Sequence, residues 1–369
     1  MKHAKQWLLS MLAKRDVRAA LVAFGVLGAI VLYVYRADVV FYLSPKDSCF
    51  SEENVRVCMR DKAHYIAMSG DVIGAIRYTA EVVAPYNRNT AHLAMHMVGM
   101  QAYDQLGSRK AAMDTLPPEA PTYANYLTYE GFQHGLLMEY FKVERSRTPI
   151  DQLIHESCAD HWVPTNPMTE DFSWTANMQC FHAVGHGLMY AYENKVSDVL
   201  PICSRLPYEW MRGRCAYGAL MEKSYLYSVD YINSLKLPKQ QEGDSMLSLC
   251  NGLTVFKTEC SLFVGRSYLN THRGDFAGAF AACAKLDVAE NAFSCREQVA
   301  SISITDSGTD FDTMHKRCAT AGPFEEQCLL NVATAVKRGF AGKAAQKKDF
   351  CKTLQKELTK RCEAINVQH

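Results

Sequence analysis

The sequence predicts an all-α protein: an N-terminal transmembrane helix, then a helical bundle that continues into an α-solenoid of disulfide-linked helical hairpins. Three observations carry this prediction. An uncharged apolar run lies near the N-terminus, pairs of histidines at helical spacing follow it, and cysteines recur in couples over the rest of the chain. With 48% hydrophobic and 21% charged residues, the composition is that of a globular protein.

The N-terminal segment has the pattern of a membrane anchor. Residues 1–18 carry five Lys or Arg side chains and one Asp, and the uncharged apolar run 19–35 follows directly. This run predicts a short transmembrane helix, and the positive-inside rule places the basic tail in the cytoplasm and the rest outside it. The absence of small residues before a cut at the end of the run favours an uncleaved signal-anchor, with cleavage after Ala37 as the alternative.

The cysteines indicate the compartment. All fourteen lie beyond the anchor, between Cys49 and Cys362, and an even number of cysteines in an oxidising compartment predicts disulfides. The chain has no Asn-x-Ser/Thr sequon, which favours the bacterial periplasm over a secretory-pathway lumen. We therefore expect a single-pass protein of the bacterial inner membrane with its large domain in the periplasm. The secretory-pathway lumen is the alternative.

The cysteines fall into sequential couples, most of them about ten residues apart. The couples are Cys49/Cys58, Cys158/Cys180, Cys203/Cys215, Cys250/Cys260, Cys283/Cys295, Cys318/Cys328 and Cys351/Cys362. No Cys-x-x-Cys pair occurs, which argues against structural zinc and against covalent haem attachment. Closing a loop of this length stabilises a fold by roughly 2.5 to 3 kcal/mol in the chain-entropy model. We therefore expect each couple to form a structural disulfide.

The same couples define a repeat. From Cys180 onward the second cysteines recur every 33 to 45 residues, a period typical of stacked helix pairs. The first cysteine of a couple ends a short segment that often begins with an aspartate suited to N-capping, namely Asp198, Asp244 or Asp275. The second cysteine is expected to begin a longer apolar helix. Each unit is thus predicted as helix, turn and helix, with the two cysteines facing each other across the turn.

Over roughly residues 150 to 369 this layout resembles disulfide-stapled helical repeat proteins of the tetratricopeptide and Sel1-like kind. The resemblance implies a curved helical scaffold of a type often used to bind proteins, and hence a possible partner protein of the cell envelope. We predict a juxtamembrane segment over 36–59 that contains Cys49 and Cys58, a histidine-rich bundle over 60–195, and disulfide-stapled repeats over 196–369.

Three predicted helices of the bundle each carry a pair of metal-ligating side chains four residues apart. An i, i+4 pair lies on one helix face about 6 Å apart, close enough to share a metal ion or to bridge two. The pairs are His92 and His96 on helix 90–106, Glu130 and His134 on helix 123–143, and His182 and His186 on helix 174–194. Glycines beside them, including Gly187, would let neighbouring helices approach closely.

These six residues supply five imidazoles and one carboxylate. Such a set suits an open mononuclear site or a dinuclear centre, and nitrogen-rich ligation indicates iron, zinc or copper rather than calcium or magnesium. In ligand type the set resembles histidine-rich non-haem iron bundles such as hemerythrin, which bind oxygen. Glu130 is also a candidate general base. Glu139, Glu193, Tyr129, Tyr190 and Glu222 are candidate hydrogen-bond partners of the ligands.

Two other interpretations of the histidines stay open, a metal-free polar or catalytic cluster and ordinary buried histidines with satisfied hydrogen bonds. Comparison between repeats indicates that these histidines are a local specialisation of this part of the chain. The position of His182 is occupied by Tyr217 and then Leu262 in the next two units, and that of His186 by Met221 and then Arg266. Packing of the hairpin therefore does not require histidine.

The sequence thus predicts a membrane-anchored, extracytoplasmic metal-binding protein, a metal-dependent hydrolase or oxidoreductase with a mono- or dinuclear histidine-rich site. The competing prediction is a helical-repeat scaffold that binds an envelope protein, with metal absent or structural, so enzymatic activity stays an open question. With 40 Lys and Arg against 39 Asp and Glu and no long basic tract, no nucleic-acid partner is expected.

Overall fold

The structure is a computed structural model of the whole chain. It describes residue 49 and residues 54–117, 126–159, 173–225, 246–272, 274–307, 310–337, 350–354 and 356–364. These residues form helices and turns, with no β-strand among them, which confirms the all-α prediction for the described part of the chain. They divide into two compact units, with the division between Phe132 and Gln133. The predicted domain ranges stay predictions.

The predicted basic tail, the transmembrane segment 19–35 and most of the juxtamembrane segment lie outside the described residues. Among the residues that are described, no helix is both long enough and apolar enough to cross a bilayer.

The first unit is built from helices whose starts follow local capping chemistry. In chain order they are α1 (Val55–Met68), α2 (Val72–Tyr78), α3 (Ala84–Tyr86), α4 (Arg88–Leu106), α5 (Arg109–Met113) and the first residues of α6 (Tyr126–Glu144). The side chains of Asn54, Asp71 and Asn87 accept hydrogen bonds from backbone N–H groups at the starts of α1, α2 and α4. Helix α4, which carries His92 and His96, packs along α1 and against α2.

Pro85 does not break the helical path. A π-helical segment, Thr79–Val83, joins α2 to α3, and the N–H of Ala84 bonds the carbonyl of Thr79. The longer π-helical spacing lets the backbone continue through a residue that has no N–H of its own. The path ends instead at Asn87, which has an extended backbone and caps α4.

The second unit contains the rest of α6 and a succession of helical hairpins. Its further helices are α7 (Ile150–Ser157), α8 (Ser173–Ala191), α9 (Val196–Ser204), α10 (Glu209–Tyr225), α11 (Met246–Gly252), α12 (Lys257–Ser261), α13 (Val264–Thr271), α14 (Phe276–Cys283), α15 (Ala289–Ser307), α16 (Phe311–Ala319), α17 (Glu325–Lys337) and α18 (Lys356–Ala364). The second helices pack on one another in chain order: α8 on α10, α10 on α12 and α13, these two on α15, α15 on α17, and α17 on α18.

All fourteen cysteines form disulfides in the predicted sequential couples, with no free cysteine. The paired Cα atoms lie 5.4 to 5.8 Å apart, the separation that a disulfide requires. Seven disulfides indicate an oxidising, extracytoplasmic environment.

The predicted start of the second helix of each hairpin is wrong. The second cysteines do not begin their helices, since α10 begins six residues before Cys215 and α15 six residues before Cys295. Both cysteines of a couple must face each other from neighbouring helices, so in these two hairpins the second helix starts in the short turn and reaches its cysteine more than one helical turn later.

The predicted capping aspartates also differ in outcome. Asp275 caps α14 as predicted, through a 2.8 Å hydrogen bond from the N–H of Gly278. Asp198 lies inside the first turn of α9, which starts after Lys195. A carboxylate in that turn still interacts favourably with the helix dipole. Asp244 lies outside the described residues.

Candidate metal centre

Three histidines of the second unit form a buried cluster. His134 lies on α6, and His182 and His186 lie on α8. One ring nitrogen from each lies within 4.8 Å of the other two, and no carboxylate or thiol belongs to this group among the described residues. His134 and His186 are fully buried and His182 is 6% exposed. The ring of His134 stacks on that of His186, with centroids 4.3 Å apart.

The hydrogen bonds of His182 and His186 define which ring nitrogens carry protons. Nδ1 of His186 lies 2.7 Å from Oε2 of Glu222, and both side chains are fully buried. Nδ1 of His182 lies 3.0 Å from Oε1 of Gln179. A carboxylate oxygen and an amide oxygen only accept hydrogen bonds, so both Nδ1 atoms donate, and in the neutral tautomers both Nε2 atoms carry lone pairs.

These two Nε2 atoms face each other at 3.0 Å. Two lone pairs at this separation repel, and a cation between the nitrogens turns the repulsion into attraction. Two nitrogens that are each about 2.0 to 2.1 Å from a metal ion lie about 2.9 Å apart at a ligand angle of about 90° and about 3.3 Å apart at the tetrahedral angle. The spacing of the pair therefore fits a shared metal ion.

Small residues bring α8 and α10 together and place Glu222 beside His186. A Cβ atom at Gly218 of α10 would overlap the carbonyl oxygen of His182, and one at Gly185 of α8 would overlap the carbonyl oxygen of Cys215. Only glycine permits this approach of the two backbones. Glu222 lies one helical turn beyond Gly218, so the same close contact carries its carboxylate to His186.

Gly187 performs the same function between α8 and α6. A Cβ atom there would lie 2.8 Å from the carbonyl oxygen of Leu137 and 2.9 Å from a ring carbon of Phe141. The approach brings His134 onto the rings of the α8 pair. The predicted role of Gly187 in close helix packing is thus confirmed.

Helix α8 ends earlier than predicted, at Ala191 rather than at residue 194. Glu193 and Asn194 have positive φ angles of 53° and 64°, a left-handed backbone that cannot continue an α-helix. Glu193 consequently points into solvent and pairs with Lys195, so the structure contradicts its predicted contact with a histidine.

Glu222 is confirmed as a hydrogen-bond partner of the cluster, because its carboxylate accepts the bond from His186. Glu139 instead pairs with Lys142, with N and O atoms 2.9 Å apart. The pKa of Tyr190 is raised, chiefly by burial, while Lys142 lowers it and the carboxylates of Glu139 and Glu222 raise it further. Lys142, Glu139 and Glu222 therefore all lie near the Tyr190 hydroxyl.

Two contacts of the cluster were missed by the sequence reasoning. Gln179 lies one helical turn before His182, a spacing at which the two side chains meet, and this was the available signal. Tyr217 of α10 packs edge-on against the His182 ring, with centroids 5.3 Å apart. The sequence pattern aligned Tyr217 with His182 between repeats but gave no sign that the two rings touch.

The first unit holds the other predicted ligands. Nε2 of His92 lies 3.1 Å from Nε2 of His96, which is 1% exposed. A Cβ atom at Gly131 would overlap the carbonyl oxygen of His92, so α6 approaches α4 closely at that point. Glu130 is 7% exposed, and burial raises its pKa to about 8, so its carboxyl group is largely protonated at pH 7 in the absence of a cation. That all six predicted residues share one site stays a prediction.

Comparison with known proteins adds no family to this description. No protein-family model, no curated protein and no solved structure matches the chain.

Proposed function

We propose that this protein binds a transition metal ion at His134, His182 and His186, with Glu222 and Gln179 fixing the ring tautomers. The observation that supports this most strongly is the 3.0 Å contact between Nε2 of His182 and Nε2 of His186 while both Nδ1 atoms donate to oxygen. A metal-bound histidine usually donates its other N–H to a carboxylate or carbonyl, which is the pattern of His186 and Glu222.

The donor set limits the choice of metal. Three imidazole nitrogens suit iron, zinc or copper, whereas calcium and magnesium prefer oxygen ligands. A shared proton is the competing occupant of the His182–His186 contact. The third imidazole, His134, within 4.8 Å favours a metal ion, since a proton bridges only two nitrogens.

We further propose that the metal is catalytic and that the protein is a hydrolase or oxidoreductase. A metal held by three protein ligands keeps a position open for water or dioxygen, whereas a structural zinc site is normally closed by four. The bundle leading into an α-solenoid of stapled hairpins is the proposed scaffold of this centre.

Elemental analysis of the purified full chain tests metal binding. The protein is produced in an oxidising compartment without a metal-binding tag, and the His182→Ala/His186→Ala double variant is compared with a His272→Ala/His315→Ala variant. The control removes the same number of histidines from the second unit but outside the cluster. We expect near-stoichiometric iron, zinc or copper in the wild type and the control, and its loss from a cluster variant with unchanged circular dichroism. Equal metal content in all three proteins would overturn the proposal.

The predicted ligands of the first unit are tested in the same way. A His92→Ala/His96→Ala variant and a Glu130→Gln variant that each lose metal would support the six-residue site of the sequence prediction. An unchanged metal content per chain would restrict the centre to the three histidines of the second unit.

For the location, we propose a single-pass protein of the bacterial inner membrane with its large domain in the periplasm. The seven disulfides and the apolar run 19–35 support this. Resistance of the full chain to extraction from membranes at alkaline pH is expected, and release into the soluble fraction would contradict the anchor.

The second candidate function is a scaffold for an envelope protein. Its support is the row of stapled hairpins that continues past the metal centre and exposes Val255 and Phe293 at 57% and 42%. On this proposal the His182→Ala/His186→Ala variant still captures a partner by crosslinking in the cell envelope, whereas the enzymatic proposal predicts a folded protein without activity.

A further inference from the structure

We propose that the first unit binds the outer face of the lipid bilayer through an apolar patch formed by Tyr65, Met68, Ile73 and Leu106. This inference rests on the proposed location, because the anchor keeps the unit beside the membrane. It assigns a lipid-contacting surface to the folded domain, which the anchor alone does not require.

Three members of the patch lie where α1 ends and α2 begins. Tyr65 and Met68 are one helical turn apart in the last part of α1, and Ile73 lies in the first turn of α2. Only residues 69–71 join the two helices. The three side chains are 73%, 59% and 55% exposed. Large apolar side chains are therefore exposed on both sides of one short turn.

The end of α4 adds the fourth member. The side-chain amide of Gln105 donates a 2.6 Å hydrogen bond to the carbonyl oxygen of Ala67, the residue before Met68. This bond holds the end of α4 against the end of α1 and places Leu106, which is 43% exposed, at the same end of the unit. Exposed apolar residues that are gathered in this way, rather than scattered singly, indicate an interaction site.

The chain between the predicted anchor and the first unit is long enough for the patch to reach the bilayer. The disulfide between Cys49 and Cys58 fixes residue 49 to α1. The predicted anchor ends at residue 35, and a chain from there to Cys49 spans at most about 50 Å. Met68 lies about 15 Å beyond Cys58 along the helix axis. The tether therefore allows this end of the unit to turn onto the membrane.

A bilayer fits this patch better than a second protein does. A stable protein–protein interface buries about 800 Å² on each partner, which is more than four partly exposed side chains supply. A bilayer to which the chain is already anchored needs no such area, because the tether gives the surface a high effective concentration. Aliphatic side chains enter the boundary between headgroups and acyl chains, and tyrosine is enriched there. The patch has this composition.

The test uses the full chain in vesicles of phosphatidylethanolamine and phosphatidylglycerol, with or without bromine on the acyl chains. Bromine quenches the fluorescence of a tryptophan that touches these chains. Met68→Trp places a reporter in the patch. Tyr86→Trp is the matched control, at a position that is 44% exposed and lies at the other end of α4, about 28 Å from Leu106. After subtraction of the wild-type signal, we expect bromine to abolish the added emission of Met68→Trp and to leave that of Tyr86→Trp unchanged.

A second pair of variants tests whether the patch itself holds the unit on the bilayer. Leu106→Trp is expected to be quenched like Met68→Trp. Serine at both Tyr65 and Ile73 removes apolar surface that would enter the bilayer, so we expect it to restore the emission of Leu106→Trp. Both positions are exposed, and unchanged circular dichroism verifies the fold. Quenching that persists in the serine variant would overturn the patch as the lipid-binding surface.

The outcomes separate this inference from the location on which it rests. Loss of the wild-type chain from the vesicles at alkaline pH would overturn the anchor and the docking surface together. A retained chain without quenching at position 68 would overturn the docking surface alone. Equal quenching at positions 68 and 86 would also overturn it. An emission at position 68 that is shifted to the blue in vesicles but is not quenched would mean that a protein, such as a second copy of the chain, covers the patch in place of lipid.

Discussion

Nδ1 of His186 donates a 2.7 Å hydrogen bond to Oε2 of Glu222, a residue of the next hairpin, and neither side chain is accessible to solvent. The bond links His186 on α8 to Glu222 on α10. The next two hairpins have no histidine at the position of His186, so packing of the hairpin does not require one. It orients the imidazole and places its Nε2 atom against that of His182. Several consequences of this arrangement can be measured.

Truncation of Glu222 is expected to weaken metal binding. A Glu222→Ala variant leaves the His186 ring without its acceptor, so the ring can rotate and its tautomer is no longer fixed. Loss of such a partner usually reduces metal affinity about 10- to 100-fold. Competition with a chelator of known affinity measures this change. The Glu139→Ala variant removes a carboxylate that bonds Lys142, and an equal loss of affinity in it would show that Glu222 has no special role.

Gly218 is expected to be essential for the contact between α8 and α10. In Gly218→Ala the new methyl group overlaps the backbone of His182, which must move together with the His186–Glu222 bond. We expect the free energy of unfolding to fall by about 1 to 3 kcal/mol and metal content to fall with it.

Gly213→Ala, on the same helix, is the matched control for that change. The nearest atom to a Cβ there is Oε1 of Glu259 at 3.1 Å, the end of a side chain that can turn away. Alanine is favoured over glycine in a helix by roughly 0.5 to 1 kcal/mol, so this variant should be as stable as the wild type or more stable. Urea denaturation of both variants gives the comparison, and equal destabilisation would contradict the close-approach argument.

Glu130 is expected to make the metal-free protein less stable as the pH rises. Burial raises its pKa from 4.5 to about 8 in the folded chain. Between these two values the unfolded chain has lost the proton while the folded chain retains it. The free energy of unfolding therefore falls with rising pH, by at most about 1.4 kcal/mol per unit, and the contribution of the neutral carboxyl is fully present only below about pH 4.5.

The Glu130→Gln variant isolates this contribution, since glutamine has nearly the same shape and no proton to lose. After removal of metal with a chelator, urea denaturation at pH 5, 7 and 9 should show a smaller decrease in stability for the variant than for the wild type. Parallel decreases in the two proteins would show that other groups cause the pH dependence.

The parts of the fold that sequence could predict are those fixed by local chemistry. The spacing of the cysteines predicted every disulfide, because a short loop permits few partners. The four-residue spacing of His182 and His186 predicted their shared face. The ends of helices were harder to predict from the sequence. The turn at Glu193 and Asn194, for example, depends on a left-handed backbone that these residues adopt rarely.

The arrangement of the site depends on contacts between helices, which periodicity along the chain does not encode. Glu222 was one of several candidate partners. It is selected by the close approach of the α8 and α10 backbones, where a Cβ atom at Gly185 or Gly218 would overlap the facing helix. Glu139 has the same residue type and a similar burial, yet it faces Lys142. The distinction lies in the rotation of each helix about its axis, a property of packing in three dimensions.

The disulfide between Cys158 and Cys180 is expected to support the metal centre as well as the fold. Cys180 lies two residues before His182 on α8, and its bond ties this helix to the end of α7. Replacement of both cysteines by alanine should lower the free energy of unfolding by about 3 kcal/mol, through the restored entropy of the unfolded chain. It should also weaken metal binding, because the part of α8 that carries His182 is no longer tied to α7.

The Cys351→Ala/Cys362→Ala variant separates the two effects. It opens the loop closed by the last disulfide of the chain and leaves α8 untouched. We expect a similar decrease of about 3 kcal/mol in the free energy of unfolding. We expect this variant to retain its metal when both proteins are compared by elemental analysis under folded conditions. Metal loss of equal size in the two variants would mean that the centre responds to global stability and not to the position of α8.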